Sequence, residues 1–104
     1  MTRVVWTRPA LADVREIRAH IAQDSPRYGR VVAERLLAAA ERLESYPLSG
    51  RVVPELGQPT LREVLEGAYR VVYRVTAGAV QIITVVHGAR LLPRDRVGPV
   101  DAAG

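Results

Sequence analysis

Residues 69–87 read YRVVYRVTAGAVQIITVVH, and this stretch decides the fold. Tyr69 to Thr76 and Val80 to His87 repeat with a period near two and are rich in β-branched and aromatic residues, which marks two strands. Ala77-Gly78 between them suits the two-residue loop of a hairpin. With Thr76 opposite Ala79, the pairing runs Arg74 with Gln81, Val72 with Ile83 and Arg70 with Val85. One face then carries Tyr69, Val71, Tyr73, Val75, Val80, Ile82, Thr84 and Val86, nearly all apolar, and has to pack against other elements. The opposite face carries Arg70, Val72, Arg74, Gln81, Ile83, Val85 and His87. That mixture of apolar groups, two arginines and a histidine suits a macromolecular partner better than plain solvent. A one-residue slip would exchange the two faces, so the expectation stands on the length of the loop.

Upstream of this hairpin the elements that must cover its apolar face are readable. Arg3-Val4-Val5-Trp6 is a short strand, and Thr7 caps a helix with Pro9 in its first turn. Leu11, Val14, Ile17 and Ile21 form one apolar stripe through about Asp24. Ser25-Pro26 starts a second helix, whose stripe is Tyr28, Val32, Leu36, Ala39 and Leu43 and which Pro47 and Gly50 end. Two amphipathic helices with a minimal joint make a helical hairpin. Residues 51–60, with Pro54, Gly57 and Pro59, read as a loop or irregular edge. Leu61 to Glu66 is a further strand, turned back by Gly67-Ala68. The expected architecture is α+β: an N-terminal helical hairpin on one face of a small antiparallel sheet, with the other face open.

The 104 residues and 48% hydrophobic content suit one domain with a core of its own. We expect that domain over residues 1–92 and a flexible C-terminal tail over 93–104, where no periodicity remains. Cysteine is absent, which excludes a disulfide scaffold, a thiolate metal site and a thiol nucleophile. No apolar run approaches a membrane span, and the start lacks a secretory layout, so a cytoplasmic location without membrane contact is expected. All 15 basic residues are arginine, for a net charge of +4. Residues 1–66 hold ten arginines against nine acids, whereas residues 67–96 hold five against one. A basic zone there suits an acidic partner, protein or nucleic acid, and suits equally a solvated sheet face.

Site chemistry is sparse. His20 and His87 are the two histidines, without ligand spacing, so no metal and no cofactor is expected. Ser25, Ser45 and Ser49 sit where caps and turns want hydroxyls, and no nucleophile elbow or glycine-rich phosphate loop is present. Two clusters remain: Gly50-Arg51-Val52-Val53-Pro54-Glu55 with Arg62-Glu63, Tyr69-Arg70 and Tyr73-Arg74, and the ending His87-Gly88-Ala89-Arg90. Together with Trp6, Asp13, Ile17, Ser25-Pro26 and Pro47, in this order over residues 4–92, they carry a resemblance. The chain resembles the RelE/ParE superfamily of bacterial type II toxins, and within it looks most like the ParE branch.

That resemblance implies a toxin of a plasmid-stabilisation type, encoded beside a ParD-like or similar antitoxin and held inactive in a hetero-oligomer with it. It also implies one of two targets. ParE-like members poison DNA gyrase without being enzymes in their own right. RelE-like members cut messenger RNA on the ribosome. Cleavage by a 2′-hydroxyl needs a base, an acid and cations around the phosphate. The chain offers Glu55 as base, His87 as acid and Arg70 and Arg74 as cations, but has no Lys and no Tyr after Tyr73. The non-enzymatic reading therefore leads, with Arg70, Arg74, His87, Arg90, Arg51 and Arg62 as target or partner contacts and endoribonuclease as the alternative. Beside these roles stand bland ones: Arg70 pairing with Glu63 or Glu66, His87 ending a strand by bonding backbone, and Tyr69 and Tyr73 as core. Arg90 has the least structural reason to exist.

Overall fold

Local capping places the two helices. Thr7 Oγ1 accepts the amide of Ala10 (3.3 Å) at the start of α1 (Arg8–Ala22). The same hydroxyl donates to the carbonyl of Ile82 (2.7 Å), which ties the helix start to the last strand. Ser25 Oγ accepts from the amide of Tyr28 (3.1 Å) and opens α2 (Pro26–Glu41). The helices cross closely where Gly29 is buried, since a Cβ there would lie 2.7 Å from the carbonyl oxygen of Arg18. This computed structural model describes residues 2–92, so the tail expected from residue 93 lies outside the described residues.

The strands are β1 (Arg3–Trp6), β2 (Arg51–Val52), β3 (Leu61–Glu66), β4 (Tyr69–Thr76) and β5 (Ala79–His87), ordered β1-β5-β4-β3-β2. The helical hairpin on one side of a sheet is as expected. Within that sheet β1 runs parallel to β5 while the other pairings are antiparallel, because the chain leaves β1, makes both helices and returns before pairing with it.

The β4–β5 hairpin starts in the expected register, Thr76 with Ala79 and Arg74 with Gln81. A bulge then intervenes: Tyr73 faces Ile82 but Val72 faces Thr84, leaving Ile83 as the extra residue. Beyond it the pairing is Arg70 with Val86 and Tyr69 with His87, which corrects the expected Arg70–Val85 pair. Val85 consequently joins the core beneath the helices, and His87 sits beside Tyr69 on that same side with ring centroids 5.7 Å apart. Neither lies on the helix-free face, as uninterrupted alternation required.

Tyr73, Val71, Val80, Ile82 and Val85 of the sheet meet Val14, Val32, Leu36 and Leu43 in the main core. Tyr69 and Tyr73 are on this side, as read from the sequence. The opposite face is not open. Val53, Leu61, Val72 and Ile83 form a second small core, closed by Leu56 and Leu92, so the loop after β2 and the segment after β5 cover the sheet from behind. Burial of four strongly apolar side chains supplies the drive for that covering.

The bulge is held by a carboxylate. Asp13 of α1, buried, accepts from Thr84 Oγ1 (2.6 Å) and from the amide of Val85 (3.1 Å). Asp13→Ala strands both donors away from water, so we expect a loss of about 1–3 kcal/mol in urea unfolding. A loss below about 0.5 kcal/mol would mean that the two donors find other acceptors.

Candidate functional site

Arg70 is the centre of a four-residue ionic cluster on the helix-free face. It projects from β4, is 5% exposed, and donates from Nε to Glu63 Oε1 (2.7 Å). Its terminal nitrogens reach Glu55 Oε2 (3.0 Å) and Oε1 (2.6 Å), and Nη1 also donates to the carbonyl of Arg90 (3.2 Å). Glu63 on β3, 1% exposed, receives a second guanidinium on its other oxygen, Arg51 Nε at 2.7 Å. Two arginines and two glutamates therefore cancel. The Glu55 carboxyl is held below its ordinary range, chiefly by the hydrogen bonds from Arg70, against a smaller opposing effect of burial. Arg70 is pushed up in turn, first by Glu55 and then by Glu63.

Arg62 does structural work at the edge of this cluster, donating to the carbonyls of Gly50 (2.9 Å) and Pro59 (3.0 Å) and so closing the loop after β2. Arg74 is half-buried at the other end of β4, in register with Leu61 and Gln81. Glu66, the alternative partner for Arg70, instead approaches Arg42 at 3.5 Å. The expected cationic face thus brings Arg70, Arg51 and Glu55 together, but as a neutralised, largely internal network rather than as free charge.

His87 and Arg90 lie elsewhere. They line a groove of about 440 Å³ with Asp13, Glu16, Ile17 and His20 of α1 and with Tyr69. His87 is exposed and its Nδ1 accepts the amide of Ala89 (3.2 Å), the strand-ending role. The amide of Arg90 donates to the carbonyl of His87 (3.0 Å), so the chain turns sharply there. Both histidines of the chain face this one groove. His20 is exposed on α1, and its place at the groove goes beyond the sequence reading. The signal was present: Asp13, Glu16 and His20 recur at three- and four-residue spacing and share a helix face. Among the described residues no group of His, Asp and Glu could hold a metal ion.

Residues 4–92 match the family described as the ParE toxin of the type II toxin-antitoxin system parDE. The chain belongs to that family of toxins. It is 45% identical over 92 residues to Toxin RelE2 of Caulobacter vibrioides, covering 88% of this chain and all of that one. Its fold is similar to that in the chromosomal ParDE system of P. aeruginosa, with TM-score 0.71 and 23% identity over 84% of this chain and 96% of that one. It is also similar to that in the RelBE2 toxin-antitoxin complex of Mycobacterium tuberculosis, with TM-score 0.56 and 24% identity over 83% and 96%. Relatives from both branches share the architecture, so the toxin's activity has to be argued from its site.

The toxin's ionic cluster has a consequence for acid stability. A carboxyl whose folded value is lowered contributes stability that is complete above the range in which the unfolded glutamate titrates, and loses it as pH falls through the folded value. Glu55 is such a group. In urea unfolding across acid to neutral pH, the advantage of the wild type over Glu55→Gln should hold from neutrality into mild acid and then vanish at lower pH. A difference that grows on acidification would contradict the pairing.

Proposed function

We propose that this toxin acts by binding rather than by cutting RNA: it poisons DNA gyrase on broken DNA, and a cognate antitoxin holds it inactive in a hetero-oligomer. The observation that supports this is the state of Arg70. A ribonuclease built on this sheet would need Arg70 to meet a phosphate, yet its guanidinium is spent on Glu55 and Glu63 and is nearly inaccessible. Releasing it would leave Glu63 buried beside a departing partner, which is costly. The candidate base Glu55 is likewise committed to Arg70, and the candidate acid His87 lies on the other side of the sheet. Of the candidate residues, His87 and Arg90 at the α1–β5 groove and the outer side of Arg51 remain exposed. We assign target contact to His87 and Arg90.

For the antitoxin, a smaller apolar groove of about 200 Å³ lies between Ile21, Tyr28 and Val32 of the helices and Tyr69. Tyr28 is exposed at its edge. Such a groove suits an apolar side chain of a segment that folds on binding. That solved relatives of the same fold come from toxin-antitoxin systems supports an antitoxin here.

The test is purified toxin in a gyrase supercoiling reaction. Cleaved DNA should accumulate, and Arg90→Ala should reduce it at least tenfold. Normal supercoiling at excess toxin removes the proposal. The relative named RelE2 favours a second reading, ribosome-dependent cleavage of messenger RNA. That reading requires new cuts in translating extracts, lost in His87→Ala.

A further inference from the structure

The ionic cluster on one side of the sheet and the groove on the other share a piece of main chain. After β5 the chain doubles back: the amide of Gly88 donates to the carbonyl of Ala68 (2.7 Å) and that of Arg90 to the carbonyl of His87 (3.0 Å). Arg70 Nη1 then grips the carbonyl of Arg90 (3.2 Å), and the carboxylate of Glu55 holds the same guanidinium from the other side (3.0 and 2.6 Å). Leu92 packs on the second core while Leu91 is 84% exposed. Arg90 lies between the turn at Gly88 and the packed Leu92, and it lines the groove that holds His20 and His87.

We propose that Arg70 and Glu55 are positioning residues for Arg90. They clamp its main chain from behind the sheet and so present Arg90 at the groove in front. Gly88, Ala89, Arg90 and Leu91 are all exposed and lie outside any strand or helix. Little but the two turn bonds and the packing of Leu92 otherwise opposes the entropy of a free segment there. Arg70 suits the task because its fork holds the carboxylate and the carbonyl at once. The charged groups around it are Glu55, Glu63 and, through Glu63, Arg51. The inference rests on Arg90 serving the surface proposed above, but not on which target that surface meets.

Two measurements on the full chain test it. In amide hydrogen exchange, Glu55→Gln should raise the rate at Arg90, whose amide closes the turn onto His87, at least tenfold and leave the paired amides of β4 and β5 unchanged; an unaltered rate at Arg90 overturns the clamp. In growth arrest on expression without antitoxin, Glu55→Gln and Arg90→Ala should each weaken the effect about tenfold, and the double variant should be no weaker than Arg90→Ala alone. Losses that multiply overturn the inference, because a merely structural role lowers activity whether or not Arg90 is present. Arg70→Lys keeps the charge but loses the fork, and should reproduce Glu55→Gln in both readouts. A negative supercoiling assay would remove the gyrase reading alone, since neither measurement assumes a target.

Discussion

Glu63→Ala lowers the free energy of unfolding by about 3–5 kcal/mol, the loss expected when one partner of a buried charge pair is removed. Glu63 has no exposed side-chain surface and holds two guanidiniums, Arg70 on Oε1 and Arg51 on Oε2. The two pairs are unequal. The side chain of Arg51 is 57% exposed, so that pair contributes under about 1 kcal/mol. Nearly all the effect therefore comes from Arg70, whose terminal nitrogens keep Glu55 but whose buried Nε cannot turn to water. Urea unfolding of single variants separates the contributions: Arg51→Ala should cost little where Glu63→Ala costs much. A double replacement, Glu63→Leu with Arg70→Met, should recover most of the loss, because an apolar pair of similar volume replaces a buried ionic one without its desolvation cost. A double variant no more stable than Glu63→Ala would show that shape at this site, rather than unpaired charge, sets the cost.

Gly50→Ala is the second large effect, and it involves no charge. A Cβ at position 50 would meet the hydroxyl oxygen of Tyr73 at 2.5 Å, the carbonyl oxygen of Glu63 at 2.6 Å and Tyr73 Cε1 at 2.8 Å. None of these is a flexible chain end. Tyr73 is wholly buried in the main core, and its hydroxyl accepts the amide of Gly50 (2.9 Å). Burial also pushes the phenol's pKa up, in keeping with a neutral hydroxyl there. The added methyl must move backbone or an aromatic ring, and we expect about 3 kcal/mol of destabilisation by chemical unfolding. Tyr73→Phe in the same chain should rescue part of it only, since the carbonyl of Glu63 still crowds the methyl. Complete rescue would show that β3 yields easily at this point.

How much of this was legible depends on how far along the chain each signal reaches. Thr7 with Pro9 and Ser25 with Pro26 are local signals, and both cap helices as read. The faces of β4 were legible because Tyr69, Val71 and Tyr73 alternate with Arg70 and Val72. The bulge was not. In Gln81-Ile82-Ile83-Thr84-Val85-Val86 every residue suits a strand on either face, so the hairpin loop sets the register only as far as Ile82. The extra residue is fixed by Asp13, 71 positions away from the hydroxyl it accepts. The fate of Arg70 was half legible. Its pairing with Glu63 follows from neighbouring strands, but the approach of Glu55 and the carbonyl of Arg90 depends on two covering segments whose packing no periodicity reports. The same covering explains why a face read as basic and accessible is neutral and closed, leaving His87 and Arg90 exposed at the groove beside α1.

The parallel pairing of β1 with β5 also sets a timetable. Arg3 meets Ala79, and the hydroxyl of Thr7 reaches a carbonyl 75 positions further on. Among the described strands β1 is made before any other, yet β5, the strand it pairs with, is made after all the rest. The native sheet cannot close early in synthesis, and contacts this distant slow the search for it. A nascent chain stopped short of β5 therefore lacks both the partner of β1 and the groove that holds His87 and Arg90.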